Sequence, residues 1–161
     1  MVDRASAGCG ALVLLLALTP ACVAAHDRVA AAATAAAASP YAVTRRVGAW
    51  VFVSGQIPRD PATGQWRHGG DIDRQTRLVL DNLKAALAGE GVGLADVVKT
   101  TVLLRSATDM AAMNAVYQRY FTQQPLPVRT TIPGVDFGTA PISIEIDAIA
   151  FVGEPEQPTS P

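Results

Sequence analysis

Thiols and imidazoles are scarce in this chain. Its 161 residues hold two cysteines, Cys9 and Cys22, and two histidines, His26 and His68. Both cysteines fall within the first 25 residues, a stretch that reads as removable. The domain beyond it therefore has no thiol, no disulfide and no cysteine nucleophile. His68 is the one histidine past residue 26, so a metal site built of His and Cys is out of reach. Charge of either sign is also in short supply: the formal net charge is −1 and the basic residues are scattered. That pattern speaks against a nucleic-acid partner.

A long hydrophobic run is missing too. The apolar stretch Ala11 to Leu18 has eight residues, well short of the roughly 20 that a spanning helix needs. Arg4 precedes it, Pro20 breaks it, and Val23-Ala24-Ala25 supplies small residues for cleavage. This is the three-part pattern of a secretory signal peptide over residues 1–25, although Asp3 weakens its positive end. The expectation is export, to a periplasmic location, with no stable membrane span. Three other readings compete: an uncleaved anchor, lipid attachment at Cys22, and a misassigned start, which would leave the protein cytoplasmic.

Residues 26–39 are mostly alanine and read as a linker. The domain proper is expected over 40–152, followed by a Pro-rich, mobile tail over 153–161. Within the domain, Tyr41 to Val47 and Ala49 to Val53 read as strands around Gly48. Pro58 to Gly64 reads as a turn. A helix follows Gly69-Gly70, capped by Asp71 or Asp73, with Leu80, Leu83 and Leu87 at helical spacing and Gly89, Gly91 and Gly93 at its end. Val97 to Leu104 is β-branched and apolar, a third strand. Met110, Met113, Val116-Tyr117 and Tyr120-Phe121 recur every three to four residues, a second helix with Thr108 or Asp109 near its start. This Met and aromatic stripe reads as core. Two more strands, Val128 to Ile132 and Ile142 to Val152, complete a β-β-α-β-α-β-β order. It predicts an α+β domain with one sheet and two helices on one face.

The last strand is the most informative. Ile142, Ile144, Ile146, Ala148 and Ala150 share one face by strict alternation. The other face carries Ser143, Glu145, Asp147, Ile149 and Phe151. Unpaired carboxylates do not suit a core, and Ile with Phe does not suit a solvent face. That second face is expected to meet another subunit. Glu145 should have a partner, and Arg129, in the segment Leu126 to Ile132, is the candidate.

Several segments in order carry a family resemblance. They are Ser54-Gly55-Gln56-Ile57-Pro58, Pro61-Ala62-Thr63-Gly64, Asp81-Asn82-Leu83-Lys84, Val98 to Val102, Met113-Asn114-Ala115-Val116-Tyr117, Pro127-Val128-Arg129 and Ile144 to Ala150. From about Pro40 to Phe151 the chain resembles the Rid, or YjgF, family of reactive intermediate deaminases. The resemblance implies a chorismate-mutase-like α+β domain and a homotrimer with clefts between neighbours. It also implies cofactor-free hydrolysis of 2-imino acids or enamines to 2-keto acids and ammonia, the activity of a 2-iminobutanoate/2-iminopropanoate deaminase. By the same resemblance Arg129 grips the substrate carboxylate and Glu145 handles water, while Tyr41, Ser54, Gly55 and Asn114 line the cleft. Thr131 stands where family members often carry a cysteine, and the loop Pro133 to Gly138 departs from the commoner form.

The chemistry fits those residue types. A planar guanidinium binds a carboxylate through two parallel hydrogen bonds and so positions the adjacent C=N carbon. A carboxyl group can take a proton from attacking water and return it to the leaving amine. Burial would raise the pKa of Glu145, and a nearby Arg129 would lower it. Two other readings remain: Arg129 and Glu145 as a structural ion pair across the sheet, and the same cleft as a non-catalytic module that binds or senses a small carboxylate. Asp147 reads as a structural acid, Trp66 and His68 as surface residues. An RNA-cleaving or holdase activity finds no support in these residues.

Overall fold

A computed structural model describes residues 40–153 of the chain. The expected signal peptide, Cys22, the Ala-rich linker and the tail beyond Gly153 lie outside the described residues.

The chain enters through a hairpin of β1 (Thr44–Val47) and β2 (Trp50–Gln56). Gly48 takes φ +59° at the first position of its two-residue turn. That conformation suits a tight hairpin and favours glycine. The first strand is shorter than the sequence predicts, so Tyr41 precedes it. The second is longer, because a β-bulge between Val53 and Gln56 lets pairing continue past Ser54-Gly55. The predicted turn at Pro58 to Gly64 forms, held by Asp60, whose side chain accepts from the Ala62 and Thr63 amides and pairs with Arg67.

Helix α1 (Ile72–Gly89) starts where expected: the Asp71 carboxylate accepts from the Arg74 amide at its N-terminus. Its end is a full Schellman arrangement. Gly91, at φ +70°, donates to the Ala88 carbonyl, and Val92 donates to the Leu87 carbonyl. Strand β3 (Val97–Leu104) matches the predicted span. Helix α2 (Met110–Tyr117) is shorter than its apolar stripe. A 3-10 turn over Ala107–Asp109 precedes it, capped by Ser106, which accepts from the Thr108 amide. Asp109 is the N-cap position of the helix, as expected near its start, but makes no side-chain capping bond. Strands β4 (Val128–Pro133) and β5 (Ile144–Phe151) complete the domain, the latter starting two residues later than the alternation suggests.

The five strands form one sheet in the order β1-β2-β5-β3-β4. The β3–β4 pair is parallel, with α2 in its crossover, and the other pairs are antiparallel. Buried side chains of one face, Val51, Val53, Val102, Leu104, Ile144, Ile146, Ala148 and Ala150, pack with Val79, Leu80, Leu83 and Leu87 of α1 and Met113 and Val116 of α2. Both helices thus cover that face. The opposite face is bare and apolar, with Trp50, Phe52, Val128 and Ile132 exposed and Leu103, Ile149 and Phe151 half-buried.

Candidate active site

The sites of interest follow from which face each strand position takes. On β5, Ile144 and Ile146 are fully buried, so Glu145 between them points to the bare face. It lies across the bulge in β2. A side chain at Gly55 would place its Cβ 2.6 Å from Glu145 Cδ and 2.9 Å from Cγ, closer still to Oε1. Glycine is what allows the carboxyl to occupy that spot. Burial pushes the Glu145 pKa up, and the Asp147 carboxylate on the same face pushes it further. Asp147 has a structural bond of its own, accepting from the Thr101 amide at 3.2 Å. Ser54 donates its amide to the Val43 carbonyl at 2.9 Å, which extends the hairpin pairing one step beyond β1. Ser54, Gly55 and Glu145 thus lie together at one end of the sheet, and Tyr41 precedes that step in the chain.

Arg129 belongs to a second cluster. It lies on β4, an edge strand in parallel register with β3, opposite Thr100. Thr100 is fully buried beneath the helices, so Arg129 and Thr131 take the helix side of the sheet. The guanidinium carbon of Arg129 lies 4.8 Å from the ring centroid of Tyr117 on α2. The Tyr117 hydroxyl and Thr100 Oγ1 are hydrogen-bonded at 2.7 Å. Burial pushes the Tyr117 pKa up, although Thr100 and Arg129 oppose the shift. Asn114 sits one helical turn before Tyr117 on the same side of α2. Its Oδ1 is buried and has no hydrogen-bond partner among the described residues.

Within one chain the structure does not pair Arg129 with Glu145, which overturns the reading of a structural ion pair across the sheet. The register places Arg129 opposite Thr100, and Glu145 opposite Leu103, on different faces of the sheet. Their Cα atoms are separated by two strand spacings and three residues of rise, about 14 Å. Among the described residues the ion pairs are Asp60–Arg67, Asp71–Arg74 and Asp73–Arg77; Arg129 and Glu145 join none. Neither a structural ion pair nor a shared site is formed within one chain. Six of the expected site residues divide in two: Arg129, Thr131 and Asn114 on the helix side, and Ser54, Gly55 and Glu145 about the bulge at the bare side. Tyr41 lies ahead of β1, outside any strand.

Two supporting residues escaped the sequence reading. Gln75, fully buried on α1, donates to the His68 and Pro141 carbonyls and accepts from the Ser143 amide. Arg105, past the end of β3, donates to the Ala140 and Ile142 carbonyls and lies over the Phe137 ring. Together they anchor the segment between β4 and β5. A polar Gln at a core-facing position of α1 was the available signal for the first; Arg105 left none. His68 and Trp66 are exposed, as expected.

Fold and site together define a class: a single-sheet α+β domain with an arginine on its helix-side edge and a desolvated glutamate on its bare face. Residues 31–152 match the model of the family described as Endoribonuclease L-PSP. A RutC family protein of Pyrococcus abyssi is 44% identical over 112 residues, covering 70% of this chain and 86% of the relative. A 2-iminobutanoate/2-iminopropanoate deaminase of Salmonella typhimurium is 39% identical over 119 residues, 71% and 89% of the two chains. The crystal structure of Escherichia coli TdcF with bound serine superposes with a TM-score of 0.65 at 35% identity, covering 71% of this chain and 90% of that one. The chain belongs to this family, the Rid, YjgF or RutC proteins. Among the described residues no helix is long and apolar enough to cross a membrane.

Proposed function

We propose that the protein hydrolyses 2-imino acids to 2-keto acids and ammonia, at sites completed between copies in a homotrimer. The observation that carries this reading is the division of the site. Arg129 offers a guanidinium outside any ion pair among the described residues, and Glu145 offers a desolvated carboxyl, on opposite faces of one sheet. Packing the bare apolar face of one copy near the β4 edge of the next would bring the two clusters together and cover that face. A relative named as an imine deaminase and a relative crystallised with serine, a small amino acid, support the substrate class.

In this reading Arg129 holds the substrate carboxylate through paired N–H donors. Glu145 of the neighbouring copy takes a proton from water as its oxygen attacks the iminium carbon. Glu145 then returns that proton to nitrogen, and the C–N bond breaks with its electron pair going to nitrogen. Ammonia leaves as Glu145 takes the hydroxyl proton and the ketone forms; ammonia carries that proton away as ammonium and Glu145 is restored. Atoms and charge balance: iminium and water become ketone and ammonium. A carboxyl with a raised pKa suits both halves of this cycle. Tyr41, Ser54, Gly55, Asn114 and Thr131 line the pocket, and the unpartnered Asn114 Oδ1 is an acceptor available to it. The only histidine among the described residues, His68, is exposed on a turn and has no part in this chemistry.

The test is release of pyruvate and ammonia from 2-iminopropanoate generated in situ, for wild type beside Arg129→Ala. Faster decay than the buffer blank with wild type alone is expected. Decay equal to the blank, with Arg129-dependent stabilisation by pyruvate, would instead indicate the binding module.

A further inference from the structure

We infer that Tyr117 is a positioning residue: its ring is the platform that aims the Arg129 guanidinium at the substrate carboxylate. The inference rests on the deamination reading above, in which Arg129 grips that carboxylate. A guanidinium meets a carboxylate along its edge, through parallel N–H bonds, and leaves its faces for stacking. Arg129 stands on an exposed edge strand and is in no ion pair among the described residues, so no carboxylate among them fixes its long side chain. The guanidinium lies over the Tyr117 ring, its carbon 4.8 Å from the centroid; stacked face to face, it would leave its N–H edge for a ligand.

The platform is itself held. Tyr117 is 7% exposed. Its hydroxyl bonds Thr100 Oγ1 at 2.7 Å, and Phe121 stacks on its ring with centroids 4.5 Å apart. Thr100 is also the register partner of Arg129. The anchor of the ring and the root of the arginine are thus on the same rung of the sheet. A Phe at 117 would keep the stacking surface and lose the anchor; a Leu would lose the surface. Arg129→Lys would keep a cation and lose the planar group that stacks.

The test uses the full chain with in situ 2-iminopropanoate as substrate and pyruvate as a stable binding probe. Tyr117→Leu should raise KM and weaken pyruvate binding about two- to thirty-fold, the range of a cation–π contact from exposed to desolvated. Its kcat should stay within about twofold, because Arg129 holds ground state and transition state alike. Tyr117→Phe should recover most of the affinity. In the Arg129→Ala background, Tyr117→Leu should change pyruvate binding no further. Equal KM in Tyr117→Leu and wild type, while Arg129→Ala is inactive, would overturn the positioning role alone. An active Arg129→Ala would overturn the deamination reading as well. Should Tyr117→Leu fail to fold, the wild-type Arg129 Nε–H resonance decides. Ring-current displacement upfield is expected, and a random-coil position would overturn the proposal.

Discussion

On the helix side of the sheet, Arg129 spreads its guanidinium over Tyr117 at an exposed edge. On the bare side, Glu145 is pressed against Gly55, half-buried, with Asp147 raising its pKa further. The arginine keeps its charge in any surroundings, so its surroundings need only orient it. The glutamate changes its proton affinity with its surroundings, so the chain sets that affinity by burial and a like charge. Neither cluster answers the other within one chain. Orientation and proton affinity are arranged separately, and association of copies would couple them.

The sharpest way to break this comparison is complementation. At substrate well below KM, Arg129→Ala, through lost binding, and Glu145→Gln, through lost proton transfer, are each expected to retain below about one-hundredth of wild-type turnover. Co-expressed in equal amounts and purified together without sorting, they should recover about a quarter of it, since one pairing of neighbours in four joins two intact clusters. A mixture as inactive as its parents would place the site inside a single chain. The next effect concerns the bare face. Phe52, 43% exposed and paired with Ile149, can accept a charge without unfolding the monomer. Phe52→Asp should dissociate the assembly in sedimentation and lower turnover about tenfold or more, because association would bury an unpaired carboxylate.

A smaller effect is expected at the close approach on the bare side. Gly55→Ala should cost about 1–3 kcal/mol in urea unfolding, as the new methyl displaces the Glu145 carboxyl. In a Glu145→Ala background the same change should be near neutral, which a double-mutant cycle measures. The smallest effect tests the carboxyl itself. A carboxyl with a raised folded-state pKa binds its proton more tightly folded than unfolded. Its stability contribution is full below the ordinary glutamate value and is lost as pH rises through the raised one. In the Phe52→Asp protomer, Glu145→Gln should therefore raise the melting temperature near neutral pH and leave it almost unchanged in mild acid. A variant less stable than its parent near neutral pH would show that Glu145 has a cationic partner within its own chain.

Much of the architecture was legible because hydrophobic period and turn chemistry are local. Leu80, Leu83 and Leu87 mark the buried stripe of α1, Asp71 its start and Gly91 its end. The alternation in β5 was equally plain, and it put Glu145 on the face away from the core before any partner was known. The bulge at Ser54-Gly55 was not legible, because it is a register shift against β5, a strand distant in sequence, beside the Glu145 carboxyl. Gln75 and Arg105 escaped for the same reason: their partners are backbone carbonyls far along the chain.

The sequence by itself determined the order of elements, the core face of each strongly patterned one, and the family to which the motifs belong. Whether Arg129 and Glu145 share a side of the sheet was decided by tertiary structure alone. Alternation tells which residues of one strand agree with each other, but β4 is an edge strand exposed along nearly its whole length and carries no apolar rhythm. Its parity relative to β5 is set through β3, by the rungs Thr100 with Arg129 and Leu103 with Glu145. A shift of one residue in that register would have put both charges on one face. Register is a property of paired strands, and so the division of the site into two halves could be read only from the folded sheet.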